Sequence, residues 1–206
     1  MPSRHFTSLK KQAAFIEKNY IDFPFDPYGN YSRRDLMNAG AYILLVHAEL
    51  ETYIEERIQE LIRLADSKWR SSGKVSRTLL ASCIYSSGRT DLPSEWSSRD
   101  RFSSIVIQAI KEASGRVAGN NGIREHNLIR LLYVVGYDVH AVDPVLIAEL
   151  DAIGSLRGDH AHISSRHHFK QKFDPFDITK KIARAIGLLQ VFDNELSAFR
   201  RSHFGH

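Results

Sequence analysis

Cysteine is almost missing from this chain. Cys83 stands alone among 206 residues, so no internal disulfide can form and a disulfide-stapled secreted scaffold is excluded. Long hydrophobic runs are missing as well. The longest apolar stretches, residues 41–46 and 131–135, fall far short of the ~20 residues a membrane-crossing helix needs. The opening Met1-Pro2-Ser3-Arg4-His5 has none of the apolar core of a secretory signal, and the expected setting is the cytoplasm, without membrane contact. Internal repeats, low-complexity tracts and runs of alternating polar and apolar residues are missing too, which argues against repeat arrays and β architectures. What remains, with 43% hydrophobic and 25% charged residues, is the composition of a globular protein rather than a disordered or fibrous one. The length favours one core over two.

The formal net charge of +4 is small but unevenly placed. Residues 152–206 hold nine Lys or Arg against five acids, while the rest of the chain is balanced at nineteen of each. Six of the ten histidines lie in the same last quarter. A local basic field attracts phosphates without any sequence code, so a polyanion such as RNA is one reading. A solvated helical face is the other.

Helical periodicity dominates the chain. From about Arg34 to Trp69, Leu36, Gly40, Ile43, His47, Leu50, Ile54, Ile58, Leu61 and Ala65 recur at spacings of three and four, opposite Glu51, Glu55, Glu56, Arg63 and Asp66. This predicts a long amphipathic helix capped by Ser32 or Asp35. At 1.5 Å per residue it is ~50 Å long, more than a compact domain of this size needs. The expectation is that it projects or pairs with another subunit. Shorter helices are predicted at about 76–85, 99–114, 124–135, 144–165 and 176–201, with a loop at 115–122. Gly136 ends the fourth of these. Asp143-Pro144 and Asp174-Pro175 open the last two as N-caps followed by proline. Residues 1–33 look like an appended arm with one short helix near 9–19, and 34–206 like the main domain.

Chemistry concentrates in Leu150-Asp151-Ala152-Ile153-Gly154-Ser155-Leu156-Arg157-Gly158-Asp159-His160-Ala161-His162. An arginine, a carboxylate and two imidazoles fall within six residues of a helix otherwise built from leucine and isoleucine. RNA carries its own nucleophile, the 2'-hydroxyl, so its cleavage needs a group that moves protons near neutral pH and a cation at the strained phosphate. Imidazole does the first and guanidinium the second. His162 is therefore assigned to proton transfer and Arg157 to the phosphorus oxygens. Asp159 orients the ring, with His160 as a second acid or base. Arg166, His167, His168, Lys170 and Lys172, in the basic loop that follows, are the candidate RNA-binding residues.

Arg157 and His162, separated by four residues, resemble the R-x4-6-H signature of the HEPN superfamily, all-α proteins many of which are metal-independent ribonucleases. Ala41-Tyr42-Ile43-Leu44-Leu45-Val46-His47-Ala48-Glu49-Leu50-Glu51 resembles the first long helix of its branch named after ribonuclease L-like and phage-defence proteins (RiboL-PSP-like). Gly122-Ile123-Arg124-Glu125-His126-Asn127-Leu128-Ile129-Arg130-Leu131-Leu132, followed by Gly136, resembles that branch's middle. The resemblance covers about residues 34–200. It implies an all-α helical bundle and a toxin–antitoxin or anti-phage setting. It also implies a homodimer with a composite site, and it admits a cognate antitoxin protein as partner. One departure is Gly158, since the position after the arginine is often polar in active members.

Helix geometry adds a constraint. Five residues at 100° each set Arg157 and His162 about 140° apart around the axis and ~7.5 Å along it. Either the helix loosens at Gly158, or two copies of the motif share one groove, which the small Gly154 and Gly158 permit. No cofactor or metal is expected. His160, His162, His167 and His168 do not form a closed zinc set. His47 reads as a hydrogen-bonded core histidine and Glu49 as a solvated glutamate. Ser71-Ser72-Gly73-Lys74 lacks the first glycine and strand of a phosphate loop, and Cys83 reads as a small core residue. Three readings stay open: a ribonuclease, a non-catalytic HEPN module that binds RNA or a partner protein, and a helical scaffold with no nucleic-acid role.

Overall fold

The structure, a computed structural model, describes residues 2–87, 99–162 and 174–205. Within them lie seven α-helices and no strand: α1 (Arg4–Tyr20), α2 (Arg33–Ser72), α3 (Arg77–Ser87), α4 (Arg99–Ala118), α5 (Glu125–Val135), α6 (Pro144–His162) and α7 (Pro175–Phe204). A single 3-10 turn spans Val139–Ala141. The all-α expectation holds, with two differences of extent. The first helix starts at Arg4 rather than near residue 9. The loop expected at 115–122 begins late, because α4 continues through Gly115 to Ala118. A mid-helix glycine costs about 1 kcal/mol, and burial of Ala113 and Val117 on either side of it offsets that cost.

The punctuation works through hydrogen bonds. Ser32 and Asp35 form a reciprocal capping box at the start of α2: the Asp35 N–H donates to Ser32 Oγ at 3.1 Å and the Ser32 N–H to Asp35 Oδ2 at 3.0 Å. Asp143 Oδ1 accepts from the Val145 N–H at 2.8 Å, and Asp174 Oδ1 from the Phe176 N–H at 2.9 Å, so α6 and α7 open as the Asp-Pro pairs predict. Gly136 takes φ +71°, and the Tyr137 N–H returns to the Leu132 carbonyl at 3.0 Å, a Schellman ending. A Cβ at Gly136 would lie 2.9 Å from Ala81 Cβ, so both conformation and packing demand glycine there.

The chain divides into two compact units. The first comprises Met1–Tyr53, Gly122–Glu125 and Asp143–Asn194; the second comprises Ile54–Asn121, His126–Val142 and Glu195–His206. Helices α2 and α7 give their first parts to the first unit and their second parts to the second. The expected boundary after residue 33 falls inside the first unit.

In the first unit, α1 buries Phe6, Leu9, Ala13 and Ile16. Its N-cap Ser3 donates from N and Oγ to the carboxylate of Asp193, at 2.7 and 2.6 Å. In the second, Ala65, Leu79 and Val106 form a small core flanked by Trp69, Cys83, Ile110 and Phe204. Helix α2 buries more than the single predicted stripe: Ala39, Tyr42, Val46, Tyr53, Arg57 and Ile62 join it. Buried positions recur along it from Ala39 to Ala65, while Leu44 and Leu45 stay exposed. Arg57 is accommodated there by Glu60, in close contact, and by Ser197 Oγ, 3.0 Å from Nη2.

Candidate functional site

Helix α6 places the motif. Leu146, Leu150 and Ile153 are buried and set its inward face. Arg157 follows Ile153 by four residues and Leu150 by seven, so it continues that face one turn further on. Its side chain is half-buried. The helix runs through Gly158 without interruption to His162. The expected alternative of a break at Gly158 is therefore not what the chain does, and residues 157 and 162 keep the ~140° separation of a regular helix. Asp159, His160 and His162 lie in the last helical turn, and their side chains fall outside the description. Arg166, His167, His168, Lys170 and Lys172 lie outside the described residues altogether.

The two motif glycines differ. Gly154 is buried, and a Cβ built on it would stand 2.7 Å from Arg124 Cγ. Its lack of a side chain makes room for Arg124 of the same chain, which corrects the expectation that Gly154 is kept free for a second helix. Gly158 meets nothing within 4 Å.

Arg124 belongs to a short connection, Gly122–Glu125, gripped from both sides. Glu51 of α2 accepts the Gly122 N–H in a close hydrogen bond. On the α6 side, Asp151 Oδ1 takes Arg124 Nε at 3.2 Å and the Glu125 N–H at 3.3 Å. Gly122 itself adopts φ +117°, which a side chain would resist. Ile123 between them is buried.

Sequence reasoning set His47 aside as a core histidine, and the structure gives it more interesting company. It is 2% exposed, and its Nδ1 stands 3.8 Å from Glu51 Oε2, one turn along α2. Burial pushes its pKa below the ordinary imidazole value, Glu51 pulls it back up, and the positive charge of Arg157 pushes it down again. His47 is accordingly held neutral, and Arg157 is close enough for its charge to be felt. The signal in the sequence was a lone polar residue within an apolar stripe. That pattern does not tell a satisfied core histidine from one turned toward a site.

A second polar group lies between α6 and α7. Glu149, 13% exposed, faces Arg184 at 3.2 Å and Lys181 at 3.7 Å, so the carboxylate is compensated and the face carries one surplus positive charge. The remaining candidates read as expected. Ser71 and Ser72 donate to the Lys68 carbonyl and Gly73 closes α2 at φ +65°, an ordinary helix end. Cys83 is half-buried, and burial pushes its thiol pKa up. Among the described residues no three His, Cys, Asp or Glu side chains gather as a metal site, and no helix is long and apolar enough to cross a membrane.

The family model described as RiboL-PSP-HEPN matches residues 6–198. No curated protein and no solved structure matches the chain.

Proposed function

The chain belongs to the RiboL-PSP-HEPN family, and on that premise we propose that it is a metal-independent endoribonuclease of a toxin–antitoxin or anti-phage defence system, acting in the cytoplasm. Family membership puts it in a nuclease- and RNA-related class of helical module. The finer reading is carried by one observation: Arg157 continues the inward face of α6, its charge felt by the buried His47, on a helix that stays regular to His162.

In this reading the 2'-oxygen attacks the adjacent phosphorus while an imidazole, assigned to His162, takes its proton. The Arg157 guanidinium neutralises the non-bridging oxygens as charge builds on them. The new 2'-O–P bond forms as the P–O5' bond breaks, and the leaving 5'-oxygen is protonated, with His160 as a second imidazole for that step. The products are a 2',3'-cyclic phosphate and a 5'-hydroxyl. Asp159 orients the ring. Arg166, His167, His168, Lys170 and Lys172 supply sequence-independent phosphate attraction. Because an unbroken helix aims residues 157 and 162 in different directions, the site is completed in a homodimer. A cognate antitoxin protein is the partner that such a toxin requires.

Gly158 favours a second reading. The fold has no need of glycine there, since a Cβ would meet nothing, so the polar side chain often found after the arginine in active members is missing without a packing reason. A non-catalytic RNA- or protein-binding module, an antitoxin or a regulatory partner, follows from that.

Incubating the purified chain with single-stranded RNA in excess EDTA separates the two. The ribonuclease reading expects cyclic-phosphate products, with Arg157→Ala and His162→Ala each slower by about a thousandfold at unchanged helicity and mass. Cleavage that disappears in EDTA and returns with zinc or magnesium, or variants as active as the parent chain, would overturn it. RNA binding without cleavage favours the second reading.

A further inference from the structure

Residues 21–31, between α1 and α2 in the first unit, hold aromatic rings at the surface and fasten them to the start of α7. Asp26 Oδ1 accepts from the Tyr28 N–H at 2.7 Å, and the Asp26 carbonyl accepts from the Gly29 N–H at 3.1 Å. Together they close a tight turn, with Gly29 at φ +73°. The Tyr31 hydroxyl takes the Asp26 N–H at 3.2 Å and donates to Asp174 Oδ1 at 3.0 Å, the oxygen that also caps α7. Phe23 packs edge-on against Tyr31 and Phe25, at centroid distances of 5.8 and 6.4 Å. Phe25 in turn meets Phe176, in the first turn of α7, at 4.9 Å. The pair is fixed in place yet left open to water, Phe25 being 40% and Phe176 39% exposed. Phenylalanines are normally shut away in a core, so rings held out by a dedicated hydrogen-bonded turn point to a ligand that stacks on them.

The neighbouring charges say which ligand. Lys180, one turn beyond Phe176, sets its Nζ 3.8 Å from the centre of the Phe176 ring, and Arg184 follows one turn later. The three positions form one ridge on α7, with about 6 Å of helix rise between successive members. Arg184 and Lys181 share a single acid, Glu149. Asp177 lies in the first turn, where an acid meets the positive end of the helix. An apolar protein partner would have to strip water from these cations. A single strand of RNA uses both features, because each nucleotide offers a flat base to a ring and a phosphate to a cation. The basic stretch 166–172 is followed two residues later by Asp174, so the ridge continues, along the chain, the segment already assigned to phosphate.

We propose that Phe25, Phe176, Lys180 and Arg184 form a subsite for single-stranded RNA, in which bases stack on the two phenylalanines and phosphates meet Lys180 and Arg184. The proposal rests on the reading of the chain as an RNA-handling protein, and it adds a place where the strand is held apart from the cleavage motif. Stacking reads no base edges, so the subsite tolerates any sequence. It refuses a duplex, whose bases are already stacked on one another.

Fluorescence anisotropy with a labelled 2'-O-methyl oligoadenylate, which has no 2'-hydroxyl to attack and so stays whole, reads the subsite independently of cleavage. Phe25→Leu and Phe176→Leu are each expected to weaken binding about tenfold at unchanged helicity. Neither changes the binding of an oligomer of the same length built from abasic units. Lys180→Gln and Arg184→Gln weaken binding of both oligomers, and each lowers the steepness of log Kd against log salt by about 0.7. Leucine variants that bind the oligoadenylate as the parent chain does would overturn the proposal, as would a parent chain that does not bind it. Leucine variants that halve the mass in light scattering while binding RNA unchanged would also overturn it, since the rings would then join two copies. A parent chain that cuts ordinary RNA beside leucine variants with unaltered binding would sink the subsite and leave the ribonuclease reading standing. The expected losses of binding beside RNA that stays whole would refute the ribonuclease reading and keep the subsite.

Discussion

Asp193 shows how much one side chain carries here. It has no exposed surface, and its carboxylate accepts from the Ser3 N–H, the Ser3 hydroxyl and the Tyr53 hydroxyl, the last at 3.0 Å. Ser3 and Asp193 are 190 residues apart, so nothing in local pattern reveals the pair, and the sequence counts Asp193 as one more acid on a helix. Removing the carboxylate takes an acceptor from two part-buried Ser3 donors and from the buried Tyr53 hydroxyl, so Asp193→Ala is expected to cost about 3 kcal/mol. At about 2–4 °C per kcal/mol for a chain of this size, that lowers the melting temperature by roughly 6–12 °C. Tyr53→Phe removes one of the bonds to that carboxylate and is expected to cost about 1.5 kcal/mol. Thermal melts of the two variants check this, and an Asp193→Ala chain as stable as the parent would show that the cluster contributes nothing. His47 was opaque for a related reason. Its enclosure is legible from the stripe it sits in, whereas the effect of the sequence-distant Arg157 charge on its titration is not.

At the scale of elements, sequence reading did well where local chemistry decides. The capping box of α2 and the Asp-Pro starts of α6 and α7 were legible because each rests on residues two or three positions apart. The Schellman ending at Gly136 was legible for the same reason. It missed the start of α1 and the continuation of α4 through Gly115, which depend on burial against distant residues. The motif helix yields a contrast that local reading misses. Gly154 and Gly158 have the same helical spacing from their surroundings, yet one is filled by Arg124 and the other faces open space. Gly158→Ala should therefore gain the helix propensity of alanine, about 0.5–1 kcal/mol. Gly154→Ala must displace Arg124 from Asp151, and should gain none of it. Chemical denaturation of the two variants measures the difference directly. Equal gains would mean that Arg124 does not need the space over Gly154.

At the scale of the whole molecule, the assembly question and the chemical one become a single question. An unbroken α6 holds the backbone positions of residues 157 and 162 about 140° apart around the helix axis, which on the proposed reading calls for residues of more than one chain at each phosphate. On that reading a second copy supplies the complement. Light scattering is expected to give about twice 23.5 kDa. The all-α architecture and the motif were legible in the sequence because periodicity and spacing are local properties, while a composite site is a property of two chains. The most direct measurement is cleavage of single-stranded RNA in excess EDTA by Arg157→Ala, by His162→Ala and by the two mixed under conditions that exchange subunits. The account predicts almost no activity from either variant alone and a partial return in the mixture, where one groove of the heterodimer regains an intact Arg157 and His162. A mixture as inactive as its parts, beside a parent chain that cuts RNA as a strict monomer, would contradict it.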